Sequence, residues 1–233
     1  MILKFAFAGV AIVLMGTACS SLHMTDPGPT RTATEDVDGG NAEVVRTEIH
    51  MGAGDLRLEG GTGKLLSASF RYSEALGRPV VHYAPGKLTV DSPKDSSVSG
   101  QMVNEWNLRM GSQAPVDASV TVGAGKADLD LSKLPLRGLE VHMGAGELLL
   151  NLTGKYSKDV TVQVSSGVGE AKIRLPKGMG AVVDAKAGLG GVSAKGFSQR
   201  DGKYYNDAYA EGKPAIRVDV RGGVGEVTLT LED

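Results

Sequence analysis

Carboxylate side chains recur at one position of a glycine motif, where an array of them could bind a divalent cation. The chain has six copies of Gly-x-Gly, and the third residue after the first glycine of each is, in chain order, Asp55, Lys126, Glu147, Glu170, Gly191 and Glu226. If the copies stack in parallel, Glu147 lies directly above Glu170, and these like charges repel unless Lys126 or a cation compensates them. The sequence matches neither the nine-residue Ca²⁺ repeat nor the EF-hand loop. We therefore expect solvated charged corners, with a Ca²⁺ site as the alternative.

A few other polar residues could do chemistry. Asp128, Asp130 and Lys133 come nearest to the acidic cluster with a basic residue that a polysaccharide-degrading β-helix enzyme needs on one outward face. His50 and His142 occupy equivalent outward positions of two repeats, which indicates surface histidines rather than a metal pair. No Ser, His and Asp set matches a catalytic motif. We therefore predict a non-enzyme with no catalytic residue, metal or cofactor, and keep the carbohydrate-active enzyme as the rival class.

Aromatic side chains are concentrated in residues 195–215, which could form a recognition surface. Only 5% of the chain is aromatic, yet this segment holds Phe197, Tyr204, Tyr205 and Tyr209. Loops on a rigid scaffold commonly carry function, and tyrosine is favoured at recognition surfaces. We predict a candidate interaction loop for a protein or cell-surface partner. The alternative is that the rings cover the side or end of the folded domain.

The start of the chain has the features of an export signal, residues 1–18. Lys4 precedes a largely apolar run over residues 5–15, and small residues follow that run. Cys19, the only cysteine, comes next, and the arrangement resembles a bacterial lipoprotein signal. The resemblance implies that Cys19 is lipid-modified and anchors the protein in the cell envelope, with Ser20 favouring the outer membrane. The alternative is cleavage before Cys19 that releases a soluble periplasmic protein.

The composition limits the possible partners and the source of stability. The 233 residues carry a formal net charge of -2, which is too near neutral to indicate nucleic acid as a partner. A single cysteine allows no disulfide within the chain, so burial and backbone hydrogen bonds must stabilise the fold. The 33 glycines are about twice the usual share of ~7%. Together with the scarcity of aromatic residues, they favour a narrow core of Val, Leu and Ala.

An internal repeat must position the candidate groups. Residues 140–150 (EVHMGAGELLL) recur at 48–58 (EIHMGAGDLRL) with eight of eleven positions identical. The Gly-x-Gly motifs begin at Gly52, Gly123, Gly144, Gly167, Gly188 and Gly223. The intervals between them are 71, 21, 23, 21 and 35 residues, so two of them contain insertions. A repeat of this length is a unit that buries its apolar face by stacking on its neighbours.

The apolar residues change parity at each glycine motif. Around Gly144 they occupy odd positions before the motif and even positions after it. Because side chains alternate along a strand, each unit is predicted to be a strand, a glycine corner and a second strand. Glycine suits the corner because it accepts positive φ and has no Cβ to collide with the next unit. We predict that inward residues such as Met143, Val168 and Leu229 fill a shared core.

These units predict an all-β solenoid. From residue 118 onward we expect parallel rungs, each with two short strands, coiled in the right-handed sense. An antiparallel meander folded into a sandwich would show the same alternation and is the alternative. The last rung, residues 216–231, would have an open edge protected by the last two residues, by the insertion or by a partner.

The remaining boundaries follow from composition. Residues 19–44 contain Pro27, Pro29 and a Gly-Gly pair and read as a flexible tether. Residues 45–115 hold the first repeat and an N-terminal β-meander module, and residues 116–233 hold the solenoid with its 195–215 insertion.

Three strand features are expected within the N-terminal module. Residues 65–72 read as a strand, residues 80–90 as a hairpin around a Pro-Gly turn, and residues 104–110 as a strand. In the last of these strands, Trp106, Leu108 and Met110 share one face.

The order of several short motifs resembles the bacterial toast-rack family. They are Trp-Asn-Leu-Arg at 106–109, Ala-Pro-Val at 114–116, VTVGAG at 120–125, LDLSKLPL at 129–136 and LEVHMGAG at 139–146. The resemblance covers residues 45–233 and includes kinship with adhesin-like proteins and with the C-terminal domain of LiaF-type cell-envelope stress proteins. It implies an all-β solenoid exposed in the cell envelope and supplies no catalytic residues.

These observations together predict a non-enzymatic, envelope-anchored β-solenoid that acts as a structural or adhesin-like interaction module. A second possibility is an envelope-stress accessory that binds a peptide or protein partner. LiaF-type proteins carry transmembrane helices before this domain, and no such helices precede it here, which argues against a direct signalling role.

Overall fold

A computed structural model of the chain describes residues 26–40, 42–93 and 102–233. The predicted signal peptide, Cys19 and Ser20 lie outside these residues. The strands are β1 (Thr30–Val37), β2 (Val45–Thr62), β3 (Leu66–Ser73), β4 (Val80–Ala84), β5 (Lys87–Asp91), β6 (Asn104–Gly111), β7 (Val116–Asp130), β8 (Leu136–Asn151), β9 (Val160–Pro176), β10 (Gly180–Ala194), β11 (Ser198–Arg200), β12 (Lys203–Tyr205) and β13 (Ala215–Glu232). One 3-10 turn, Glu74–Leu76, follows β3. Within the described ranges, no helix has the length and apolar character needed to cross a membrane.

Six long strands form a stack of bent rungs. In spatial order they are β2, β7, β8, β9, β13 and β10, and each pairs with the next in parallel. Each rung bends at its Gly-x-Gly corner, so we call the part before the corner the first arm and the part after it the second arm. Equivalent residues lie side by side, as Val120, Val141 and Val164 do. The all-β solenoid with parallel rungs is therefore confirmed.

The corners require glycine for two separate reasons. The second glycine of each corner has a positive φ, such as 131° at Gly146, a backbone conformation that L side chains rarely adopt. A Cβ built there would also collide with the carbonyl oxygen of Gly125 in the rung before. Every first glycine except Gly52 has the same close approach; a Cβ at Gly144, for example, would collide with the carbonyl oxygen of Gly123. Close stacking of backbone on backbone explains why the motif recurs.

The core fills the space between the two arms. In β8, the side chains that point into the core stand at odd positions in the first arm and at even positions in the second arm. Met143, Leu148 and Leu150 are accordingly all buried. Met143 and Leu229 point inward as predicted. The prediction for Val168 is wrong, because 54% of its surface is exposed. Val168 is the middle residue of its corner, and the chain turns around it, so its side chain lies on the outer apex of the bend.

The order of the last two rungs differs from their order in the sequence. The C-terminal strand β13 lies between β9 and β10 and pairs in parallel with both. The prediction that the C-terminal rung has an open edge is therefore wrong, since β10 is the outermost rung. The long connection of residues 195–214 allows this, because it lets the chain return by one position.

Short strands extend the stack beyond β2. The first arm of β2 pairs in parallel with β5, which forms an antiparallel hairpin with β4. The second arm pairs in parallel with β6, and antiparallel β3 and β1 follow. The hairpin and both strands predicted for this region are confirmed, and Trp106, Leu108 and Met110 on β6 are all buried.

Two predicted boundaries need correction. Residues 30–37, placed in a flexible tether, form β1 and pair along their whole length with β3. Their pattern was weak because only Ala33 and Val37 contribute apolar side chains on the inner face. The first repeat, β2, is a rung of the same stack as β7, so the sheet continues across the predicted division at residue 116.

Candidate functional site

The 195–215 insertion folds as a small hairpin on the outermost rung. β11 and β12 pair antiparallel, and Tyr204 and Tyr205 of β12 lie opposite Val183 and Val182 of β10. The hairpin therefore extends the first arm of the sheet past β10.

The four aromatic residues of the insertion divide between two faces. Tyr204 lies opposite the fully buried Val183, and both Tyr204 and Phe197 pack against the core. These two rings cover the end of the solenoid, which was the alternative interpretation of the segment. Tyr205 follows Tyr204 along the strand, so its ring lies on the opposite, outward face.

We call the group of Arg200, Tyr205, Tyr209 and Arg217 the tyrosine face. The rings of Tyr205 and Tyr209 meet edge to face with centroids 5.0 Å apart. The guanidinium of Arg200 lies 4.5 Å from the centre of the Tyr205 ring, within cation-π range. A hydrogen bond with the Tyr209 hydroxyl, together with the charge of Asp159, raises the pKa of Arg217. The result is an aromatic pair held by two cations beside a cavity of about 280 Å³.

A buried asparagine anchors the insertion. The side chain of Asn206 accepts a hydrogen bond from the Ala181 amide at 2.8 Å. It donates to the carbonyl oxygens of Met179 at 2.8 Å and Pro176 at 3.1 Å. These bonds fix the position of Tyr205 relative to the start of β10. Sequence reasoning missed Asn206, and no motif or spacing marks it.

A larger cavity, of about 620 Å³, lies where the loops after β8 and β9 meet the end of β13. Tyr156 and Met179 are among the residues that line it. The Tyr156 hydroxyl donates to the Leu131 carbonyl oxygen at 3.2 Å. Burial, and then the charge of Asp130, raises the pKa of Tyr156, so this phenol stays protonated and acts as a structural donor.

The comparisons with known proteins identify the family. Residues 26–174 match the family described as the N-terminal domain of toast_rack, DUF2154. The chain belongs to this family. The toast-rack resemblance is thereby confirmed, while the likeness to LiaF-type proteins stays a prediction.

Solved structures resemble this toast-rack protein to different degrees. The crystal structure of a "putative cell adhesion protein" from Clostridium sporogenes ATCC 15579 is 30% identical with a TM-score of 0.82, covering 88% of this chain and 100% of that one. A "putative adhesin" from Parabacteroides merdae ATCC 43184 is 15% identical with a TM-score of 0.30, covering 87% and 97%. A "putative adhesin" from Bacteroides fragilis NCTC 9343 is 13% identical with a TM-score of 0.25, with the same coverage. The last two scores are too low to support an argument. No match was found among curated proteins.

Lysines compensate two of the acidic corners of the toast-rack protein. Glu147 and Glu170 lie side by side in the sheet as predicted. Lys172 lies 3.1 Å from Glu147 and 3.0 Å from Glu170, and Lys126 lies 3.2 Å from Glu147. Hydrogen bonds from Lys172 and Lys126 lower the pKa of Glu147. The predicted compensation by Lys126 is present, and Lys172 was missed because it stands two residues beyond the corner.

The other candidate residues make local contacts. His50 Nδ1 lies 2.7 Å from Asp91, His142 lies between Glu140 and Ser165, and Thr121 separates the two histidines in the sheet. No group of three or more His, Cys, Asp or Glu side chains able to hold a metal lies in the part of the chain that the structure describes.

Of the three residues considered for carbohydrate chemistry, Asp128 and Asp130 share the outward row of the second arm of β7 but make different contacts, and Lys133 lies beside Gly60 of β2. Asp130 accepts hydrogen bonds from Ser132 and Asn151 and so stabilises the turn after β7. Asp128 lies 3.5 Å from Arg57 in the neighbouring rung.

Proposed function

We propose that the protein is a non-enzymatic cell-envelope lipoprotein that acts as an adhesin-like interaction module. The observation that carries the proposal is the similarity over 88% of the chain, with a TM-score of 0.82, to the protein named a "putative cell adhesion protein". A stack of rungs with a backbone held at glycine corners is a rigid scaffold, and rigid scaffolds suit proteins that present a binding surface.

The tyrosine face is the proposed contact surface. Tyr205 and Tyr209 are half-buried on the outward face, so part of each ring remains available to a partner. Tyrosine and arginine together are enriched in the central contacts of protein interfaces. Because Asn206 fixes the segment between the rings, little conformational entropy would be lost on binding.

A cell-binding assay tests this proposal. Beads coated with the purified protein should adhere to bacterial or host cells, and replacing both Tyr205 and Tyr209 with serine should lower adherence at least about tenfold, as loss of two central contacts would. Tyr83→Ser is the matched control, because Tyr83 is a half-buried tyrosine on β4 at the opposite end of the stack. Equal adherence of all three proteins would show that the tyrosine face is not the contact surface.

The lipid anchor is proposed on the sequence around Cys19 alone. Cells fed radioactive palmitate should label the wild-type protein but not Cys19→Ala, and the labelled protein should sediment with the outer membrane. Label in the Cys19→Ala variant, or wild-type protein free in the periplasm, would exclude the anchor.

The non-enzymatic part of the proposal has its own test. Purified protein incubated with a panel of polysaccharides should release no reducing ends. Turnover that disappears in Asp128→Asn or Asp130→Asn would instead support the carbohydrate-active alternative.

A further inference from the structure

Three of the four ends of the bent sheet are continued by added strands. At the β2 end, β5 and β4 continue the first arm, and β6, β3 and β1 continue the second arm. At the β10 end, β12 and β11 continue the first arm. The fourth end is the second arm of β10, residues 189–194, and within the described chain no strand lies on its outer side.

This free edge lacks the features that normally protect an edge strand. Between Lys186 and Lys195 the sequence is AGLGGVSA, with no charge and no proline. Natural edge strands commonly carry an inward-pointing charge, a proline or a bulge that prevents pairing. The outermost strand at the other end, β1, has such a charge. Glu35 stands on the inner row between Ala33 and Val37, and Arg78 binds it at 2.6 Å.

A row of exposed apolar side chains across three rungs ends at the same edge. Val168, Val224 and Leu189 are the middle residues of three successive corners and lie side by side in the sheet. Their exposed fractions are 54%, 47% and 71%, so the last of them, on β10, is the most exposed. The inward residues Val192 and Ala194 are only half-buried, although their neighbours on β13, Val227 and Leu229, are buried. One more strand beside β10 would cover Val192 and Ala194.

We propose that the second arm of β10 binds an extended segment of a partner protein, which adds to the sheet as a further strand. Such strand addition obtains affinity from main-chain hydrogen bonds and specificity from alternate side chains. The segment has apolar residues at alternate positions, opposite Val192 and Ala194. It has a carboxylate next to the first of them in the chain, opposite Lys195, whose side chain lies on the other face of the sheet.

The charges argue for a foreign segment rather than a second copy of this chain. If two β10 edges paired antiparallel with Gly190 opposite Gly191, Lys186 of each copy would face Lys195 of the other, and like charges directly opposite destabilise a sheet. The β1 edge of a second copy is protected by Glu35. Lys186 already lies 3.7 Å from Asp184 of its own strand. Lys195 is exposed and forms no ion pair with any described residue, so an acidic partner residue could pair with it.

This site goes beyond the proposed function and is separate from the tyrosine face. Tyr205 belongs to the continuation of the first arm and Tyr209 to the loop that follows it, whereas the free edge belongs to the second arm. Either surface can bind its partner without the other, so the two proposals can fail independently.

Two synthetic peptides test the free edge. The purified protein should bind a fluorescent, end-blocked DVTLTLTVD peptide, measured by anisotropy; its symmetric sequence places an aspartate opposite Lys195 and valine opposite Ala194 in either strand direction. It should bind the KVTLTLTVK peptide at least about threefold more weakly, because a lysine opposite Lys195 replaces an attractive exposed pair with a repulsive one. Equal binding of the two peptides, or no binding of either, would overturn the proposal.

Protein variants locate the binding. Val192→Lys introduces an inward lysine on the free edge and should abolish binding of DVTLTLTVD. Ala33→Lys makes the comparable inward change on β1, the outermost strand at the other end, and should leave binding intact. If Val192→Lys does not fold, as judged by circular dichroism, replacing Lys195 with glutamate should reverse the peptide preference. The double variant Tyr205→Ser, Tyr209→Ser should bind the peptide normally.

Two results would contradict the site. Peptide binding that persists in folded Val192→Lys would place the peptide elsewhere on the protein. Concentration-dependent dimerisation in sedimentation velocity that Val192→Lys abolishes would assign the edge to a second copy of this chain.

Discussion

At the first glycine of a corner, contact with the neighbouring rung, rather than the backbone conformation of the corner, is what requires glycine. The first glycine of a corner has no positive φ, yet a Cβ at Gly123, Gly144 or Gly167 would collide with the glycine carbonyl of the rung before. Gly52 belongs to β2, where the same direction is open, and a Cβ there would meet nothing within 4 Å. The first corner therefore contains a glycine that stacking does not require.

We expect Gly144→Ala to lower the free energy of unfolding by about 1–3 kcal/mol, because the backbone of two rungs must separate to accept the methyl group. The matched change Gly52→Ala should alter it by less than about 0.5 kcal/mol. Urea denaturation of both variants measures the difference. Similar losses in the two variants would show that the corner conformation, and not stacking, selects glycine.

Thr47 lowers the stability of the core because it buries a polar group. Thr47 is fully buried, and its hydroxyl forms no hydrogen bond with the described residues. Its neighbours in the sheet are Leu88 and Ala118, which offer no side-chain acceptor.

We expect Thr47→Val to raise the free energy of unfolding by about 1 kcal/mol, since it removes a buried donor and acceptor while keeping the shape. Thr121→Val, on the outward row of the adjoining rung, should change stability by less than about 0.5 kcal/mol. Thermal and urea unfolding check both. A less stable Thr47→Val variant would mean that the hydroxyl has a partner in solution.

The insertion shows that the inward and outward faces of very short strands are difficult to predict from a sequence. The concentration of aromatic residues predicted a surface there, but β11 and β12 have only three residues each. Alternation over three residues does not show which side chains face inward, so Tyr204 and Tyr205 could not be assigned to different faces in advance. Whether the tyrosine face binds a partner stays a prediction.

We expect Asn206→Ala to lower the free energy of unfolding by about 2–3 kcal/mol, because one amide and two carbonyl groups lose their buried partner. Amide exchange should accelerate first at Ala181 and in β12. Asn107→Ala, on the exposed face of β6, is the control and should have little effect. Unchanged exchange at β12 would mean that ring packing, rather than Asn206, holds the insertion.

For the molecule as a whole, the repeat predicted the rungs but not their order. Each rung presents the same ladder of backbone groups and the same rows of apolar side chains. Either β10 or β13 could therefore have paired with β9. The order was decided by the long connection 195–214, whose path has no local signal. In the same way, the strand at residues 30–37 escaped detection because its pairing with β3 comes from distant residues.

We expect hydrogen exchange to follow spatial order rather than sequence order. Amides of β7, β8, β9 and the C-terminal β13 should exchange slowest, because each of these strands has a neighbour on both sides. Residues 188–194 of β10 should exchange faster than the equivalent residues of β13. Mass spectrometry of peptic fragments resolves the two segments, and faster exchange in β13 would contradict the order of the rungs.

The position of β13 also determines when this protein can finish folding. A growing chain can add β7, β8 and β9 one after another, but β10 emerges before β13, the strand with which it pairs. Until residues 215–233 are available, β10 and its hairpin lack the strand with which β10 pairs. Completion of the native state is thereby tied to the very last part of the polypeptide, and a prematurely terminated chain would expose an apolar strand for quality-control proteases to recognise.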